Sequence, residues 1–149
     1  MSKIQILSLE LDYEKKAILP FVKTIENSLR EMQNIIKCQR VTCTEIEIEG
    51  KKMDCWSDDE ALFSPRLVPT LYINDDLIIF GNILFAGHDD EGTTTSLSDE
   101  DIGLIMRYIR HKILSCANGS IKIKIINLIF EEVAWPYGFK WLLHFYWRQ

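Results

Sequence analysis

Apolar and polar residues alternate with a period of two along most of this chain, and a helical period appears in only two places. Ile4, Ile6 and Leu9 open a first strand, and the run from Ala17 to Thr24 predicts a second. Pro20 assigns that second strand to an edge or a bulge, because proline brings no N–H to a ladder. Asn27 starts the first helix, with Leu29, Met32, Ile35 and Ile36 forming one apolar stripe. From Val41 to Met53 the pattern returns to a period of two. Ile46 and Ile48 point one way there, and Glu45, Glu47 and Glu49 the other. Gly50-Lys51-Lys52 reads as a turn, with Met53 to Trp56 as the returning strand. Thr70–Ile73 and Leu77–Ala86 predict two further strands, joined at Asn74-Asp75, a dipeptide that tolerates left-handed backbone.

The second helix carries the strongest local signal. Ser98 and Asp101 have the spacing of a capping box, and Leu97 and Ile102 flank it as a hydrophobic staple. Asp99, Glu100 and Asp101 sit where the helix dipole favours negative charge, with Arg107, Arg110 and Lys112 toward the other end. The spacing predicts a buried face of Ile102, Ile105, Met106, Ile109 and Ile113, ended by Asn118-Gly119. Past Gly119, Ile121, Ile123 and Ile125 alternate with Lys122 and Lys124 as in a strand with one wet face. Residues 130–147 then hold eight of the sixteen aromatic residues of the chain.

These elements predict an α+β fold: a mostly antiparallel sheet of about five strands, with two amphipathic helices on one face. Residues 1–118 form that domain, and residues 119–149 an aromatic C-terminal extension that contains a strand and packs on it. A chain of 149 residues suits one domain with an appendage, and 47% hydrophobic residues argue against wholesale disorder.

Charge changes the picture more than composition does. Between Asp54 and Asp101 the chain has twelve acidic residues against one basic residue, Arg66, a local charge of −11. The flanks compensate, so the overall −5 conceals a strongly polarised molecule. Asp54, Asp58, Asp59, Glu60, Asp75, Asp76, Asp89, Asp90 and Glu91, together with Trp56, are candidate partner-binding residues. Carboxylates gathered on one surface resemble a line of phosphates and are steered to a basic groove. Trp135, Tyr137, Trp141 and Trp147 join the candidate interface, and a homodimer through this aromatic tail is one occupant.

Catalytic chemistry is poorly represented. Cys38, Cys43, Cys55 and Cys116 contain no CxxC pair and no zinc-finger spacing with the three histidines, and they read as reduced thiols. The run His88-Asp89-Asp90-Glu91 has hard ligands but lacks EF-hand spacing. Asp58, Asp59 and Glu60 lack the burial that separates two carboxyl pKa values for acid–base work. No Gly-rich phosphate loop is present, and Gly81 and Gly87 read as bulge or turn glycines. No cofactor, metal or catalytic residue is therefore expected, and the acidic middle disfavours direct nucleic-acid binding. No apolar window reaches the roughly 20 residues of a spanning helix, and the N-terminus lacks a signal-peptide core. The expected location is the cytoplasm of whatever cell makes the protein.

Three stretches carry a resemblance across about residues 17–114. They are Val22 to Ile36; Ile79-Phe-Gly-Asn-Ile-Leu-Phe-Ala-Gly87; and His88-Asp-Asp-Glu-Gly92 followed by Ser96-Leu-Ser-Asp-Glu-Asp-Ile102. In these the chain resembles a family of small proteins of unknown function carried by phages, plasmids and integrative elements of bacteria. Lys37-Cys38 stand here where that family usually has a glycine, and the aromatic tail is foreign to it. The resemblance implies an accessory protein of a bacterial mobile element and assigns no catalytic residue, and a non-enzymatic binding protein is the expected class. Combined with the acidic block, it leads to an expected role in counter-defence: binding and inhibiting a host defence factor such as a CRISPR effector or another basic nucleic-acid-binding enzyme. Sequestration of a nucleotide signal and a purely structural accessory role are the alternatives.

Overall fold

The computed structural model describes residues 2–61, 69–73, 77–116 and 121–128. Among these residues the chain forms ten strands and two helices. The strands are β1 (Lys3–Asp12), β2 (Ala17–Glu26), β3 (Val41–Ile48), β4 (Lys51–Asp58), β5 (Pro69–Ile73), β6 (Leu77–Phe80), β7 (Ile83–His88), β8 (Thr94–Thr95), β9 (Ile109–Cys116) and β10 (Ile121–Leu128). The helices are α1 (Leu29–Ile36) and α2 (Asp99–Tyr108).

The sheet runs β3-β4-β7-β1-β2-β10-β5-β6, with β8 paired to β7 and β9 to β10. Most neighbours are antiparallel, but β10 is parallel to both β2 and β5, so the sheet is mixed. It curls into a half-barrel. The five-stranded α+β expectation is thus overturned: strand pairing dominates, and the helices are insertions in a large sheet. Local alternation reveals where strands lie but not which distant strands pair, and a count by local pattern fell short.

The two helices also do not share a face. Ile4 and Ile6 of β1 and Leu84 and Ala86 of β7 pack with Met32, Ile35 and Ile36 of α1. Leu7 and Leu9 of β1 and Ile83 and Phe85 of β7 pack instead with Ile102, Leu104 and Ile105 of α2. Side chains alternate across a strand, so these odd–even sets define opposite faces, one helix on each. The larger core lies on the α2 side, where Ile46, Ile48, Met53, Ile18, Leu71 and Ile125 join it.

Local signals explain both helix starts. Ser28 caps α1 by accepting from the Glu31 amide at 3.2 Å, and Ser98 caps α2 by accepting from the Asp101 amide at 3.0 Å. The second helix ends at Tyr108, short of the predicted stripe. The chain continues as β9, antiparallel to β10 from Ile109↔Leu128 to Cys116↔Ile121. Ile113 is consequently exposed rather than buried, and Met106, although still on α2, is exposed as well. Ile109 and Ile113 are four residues apart, a spacing that fits both periods, and the alternating Ile/Lys run of β10 offers a strand partner.

The β3–β4 hairpin turns at Glu49-Gly50, one residue earlier than the pattern suggested. Both have positive φ, 51° and 80°, and Ile48 pairs with Lys51, the geometry of a two-residue turn of primed type. The predicted Leu77–Ala86 strand is broken at Gly81, where φ is 78°, into β6 and β7. Pro20 sits where β2 pairs with β1 alone; its contact with β10 is at Ala17. Strand β10 belongs to the same sheet as the preceding residues, between β2 and β5. The predicted turn Asn74-Asp75, Asn118-Gly119 and the aromatic tail from residue 129 lie outside the described residues.

Candidate functional site

On the α1 face, three adjacent strands each contribute polar side chains beside the apolar patch. The register sets Glu45 of β3 opposite Asp54 of β4, and Asp54 opposite Ala86 of β7, so His88 follows two residues on along the same face. His88 Nδ1 lies 2.9 Å from Asp54 Oδ1, and His88 Nε2 lies 3.5 Å from Glu45 Oε2. One donor atom from each residue falls within 4.8 Å of the others, so these three could hold a metal ion. Exposure is graded across the group: the side chains are 11% exposed for Asp54, 21% for His88 and 46% for Glu45.

Burial is the main reason the Asp54 carboxyl titrates above the usual carboxylate range, with the neighbouring His88 pulling the other way. Burial, then the Asp54 charge, pushes the Cys43 thiol up to about 12. Cys38 is raised to about 11 for the same leading reason, and fully buried Cys55 is raised as well. A thiolate is the reactive form, so none of these three thiols is poised as a nucleophile at neutral pH.

The sequence-predicted interface residues are distributed rather than convergent. Asp54 turns inward to His88. Trp56 is half-buried against the α1 cluster, and its indole Nε1 is buried without a partner among the described residues. Asp58, Asp59 and Glu60 close β4, where Asp58 Oδ1 accepts from the Glu60 amide at 2.8 Å. Asp89, Asp90 and Glu91 form the turn after β7, with Asp89 Oδ1 accepting from the Glu91 and Thr93 amides at 3.0 and 2.8 Å. Strands β4 and β7 are antiparallel, so these two acidic runs occupy opposite ends of the pair. Six residues of strand place them about 20 Å apart. Asp75, Asp76, Trp135, Tyr137, Trp141 and Trp147 lie outside the described residues.

Sequence reasoning missed Glu45 and Cys43 as site residues, and considered His88 only within the run His88-Asp89-Asp90-Glu91. A usable signal existed: with the hairpin centred on Glu49-Gly50, the register pairs Glu45 with Asp54 directly.

Charge follows the order of the sheet. Strands β3 and β4, their connecting turn and the segments that follow β4 and β7 carry Glu45, Glu47, Glu49, Asp58, Asp59, Glu60, Asp89, Asp90 and Glu91. Strands β9 and β10 carry Arg110, Lys112, Lys122 and Lys124 and no acidic residue. Part of the acidity is neutralised, since Lys51 lies 2.6 Å from Glu100 and 3.4 Å from Asp101, and Arg107 lies 3.8 Å from Glu49. Asp59, Glu60, Asp90 and Glu91 are exposed and form no ion pair among the described residues.

A curled mixed sheet with one helix on each face and acidic residues along one side defines a small, strand-rich domain. Residues 11–111 match the family described as a domain of unknown function, DUF3846, and the chain belongs to that family. No curated protein and no solved structure matches it. No helix among the described residues is long and apolar enough to cross a membrane.

Proposed function

We propose that this protein is a non-enzymatic binding protein of a bacterial mobile element, which docks its acidic wing on a basic, nucleic-acid-binding host defence protein and blocks it. The supporting observation is the set of exposed carboxylates at Asp59, Glu60, Asp90 and Glu91, which have no ion-pair partner among the described residues. Unneutralised charge of one sign steers a complementary surface and sets the association rate. A CRISPR effector, with its positively charged nucleic-acid channel, is a partner of the required chemistry. The nucleotide-sponge reading needs buried Lys or Arg of the tail facing a cavity, and Lys140 and Arg148 lie outside the described residues.

The test is affinity capture from a bacterial lysate with the full chain as bait, released by a stepped salt gradient and, separately, by excess duplex DNA. The expected result is a nucleic-acid-binding protein that both treatments release. Capture that resists salt and DNA alike would overturn the reading.

A further inference from the structure

We propose that Glu45, Asp54 and His88 form a binding site for one divalent transition-metal ion of the zinc class on the α1 face of the sheet. The three residues come from three adjacent strands, and the ladder register rather than a loop brings them together. Bond lengths of 2.0–2.2 Å to zinc place tetrahedral ligand atoms about 3.4 Å apart. His88 Nε2 lies 3.5 Å from Glu45 Oε2, the separation that two ligands of one ion take, whereas the 2.9 Å contact of Asp54 is to the other nitrogen, Nδ1, so Asp54 has to turn toward Nε2 for all three to share one ion. One donor atom from each of the three residues lies within 4.8 Å of the others, which is within reach of a single ion once the side chains turn toward it.

The arrangement itself calls for a cation. Both imidazole nitrogens of His88 face carboxylate oxygens, Nδ1 toward Asp54 and Nε2 toward Glu45. A neutral imidazole has one N–H, so one nitrogen presents its lone pair to an oxygen lone pair. Either a proton or a metal ion fills that gap. His88 is also the only basic side chain that Asp54 and Glu45 meet among the described residues, although Asp54 is almost fully buried. Buried carboxylates are paired or coordinate metal. Imidazole together with carboxylate favours zinc, cobalt or nickel over magnesium and calcium, which take all-oxygen sets.

Binding carries a proton balance: the metal takes the imidazole nitrogen in its neutral form, so any proton on His88 leaves as the ion enters.

The experiment uses the full chain, stripped with chelator and dialysed, titrated with zinc chloride by calorimetry and with cobalt chloride by visible absorbance. His88→Gln and Glu45→Gln are titrated alongside. The expected result is one equivalent bound by the wild type and an affinity lower by at least about tenfold in each variant. Magnesium at equal concentration should not compete. Circular dichroism establishes that each variant is folded; should His88→Gln fail to fold, Glu45→Gln decides, because its side chain is half-exposed. No stoichiometric binding, or equal affinity in wild type and folded variant, would overturn the proposal and leave the cluster as carboxylates bridged by a protonated imidazole.

Discussion

Lys37 shows how one residue can work against its own backbone. It caps α1 with φ 62° and ψ 52°, its amide donating to Gln33 O at 2.7 Å. The left-handed region costs an ordinary L-residue about 1–2 kcal/mol, and glycine avoids most of that while losing about 0.5–1 kcal/mol in chain entropy. Lys37→Gly should therefore raise stability by about 0.5–1 kcal/mol, seen as a higher urea midpoint at unchanged slope. A lower midpoint would mean that the lysine side chain contributes more than its backbone costs. Asp54 gives a second residue-scale expectation. Its folded-state pKa is raised, so between the unfolded and folded values the native state binds more protons, and stability falls as pH rises through that window. Asp54→Asn removes this contribution. Urea midpoints between pH 4 and 7 should shift in favour of the variant as pH rises; a constant difference would show that Asp54 is not the group responsible.

At the scale of elements, what was legible followed local chemistry. Ser98 announced the start of α2, and Ile46 and Ile48 with their glutamate neighbours announced β3, because caps and alternation are written within a few residues. The end of α2 was not legible. Ile102, Ile105, Ile109 and Ile113 continue a helical stripe, and Asn-Gly serves equally as a helix stop and as a hairpin signal. What decides for β9 is its register with β10, from Ile109↔Leu128 to Cys116↔Ile121, a tertiary fact. The site was hidden for the same reason: Glu45, Asp54 and His88 converge only once β4 lies between β3 and β7. The boundary that composition suggests at residue 118 accordingly falls between two paired strands. Deleting everything after Asn118 removes Ile123, Ile125, Ile126 and Leu128 from the core. Each buried aliphatic side chain contributes about 1.5–3 kcal/mol, so the loss rivals the whole stability of a typical domain. The truncated chain should lose its cooperative thermal transition by circular dichroism. A sharp transition near the full-length midpoint would show that β10 is dispensable.

Over the whole molecule the acidic wing divides into two patches. The ends of β4 and β7 are about 20 Å apart, whereas charges are screened beyond about 8 Å at physiological ionic strength. The two runs therefore act as independent attractants in the cell and merge into one field only in dilute salt. Asp58 and Asp89 are poor positions for testing this, because each side chain also holds its turn by accepting backbone N–H groups. Asp59, Glu60, Asp90 and Glu91 are exposed and their side chains hold no turn among the described residues, so changing them isolates charge from fold. Reversing Asp59 and Glu60 to lysine, Asp90 and Glu91 to lysine, and all four together gives a cycle between sites too distant to couple directly. For a partner that spans both ends, each pair should slow association, and the fourfold variant should lose about the product of the two effects. For a partner that grips one end, one pair should be silent. In either case the wild-type association rate should fall as salt rises, the dissociation rate should change little, and the fourfold variant should lose most of that salt dependence. Association that ignores salt, or a fourfold reversal that leaves the rate unchanged while the protein stays folded, would remove the acidic wing from the binding surface.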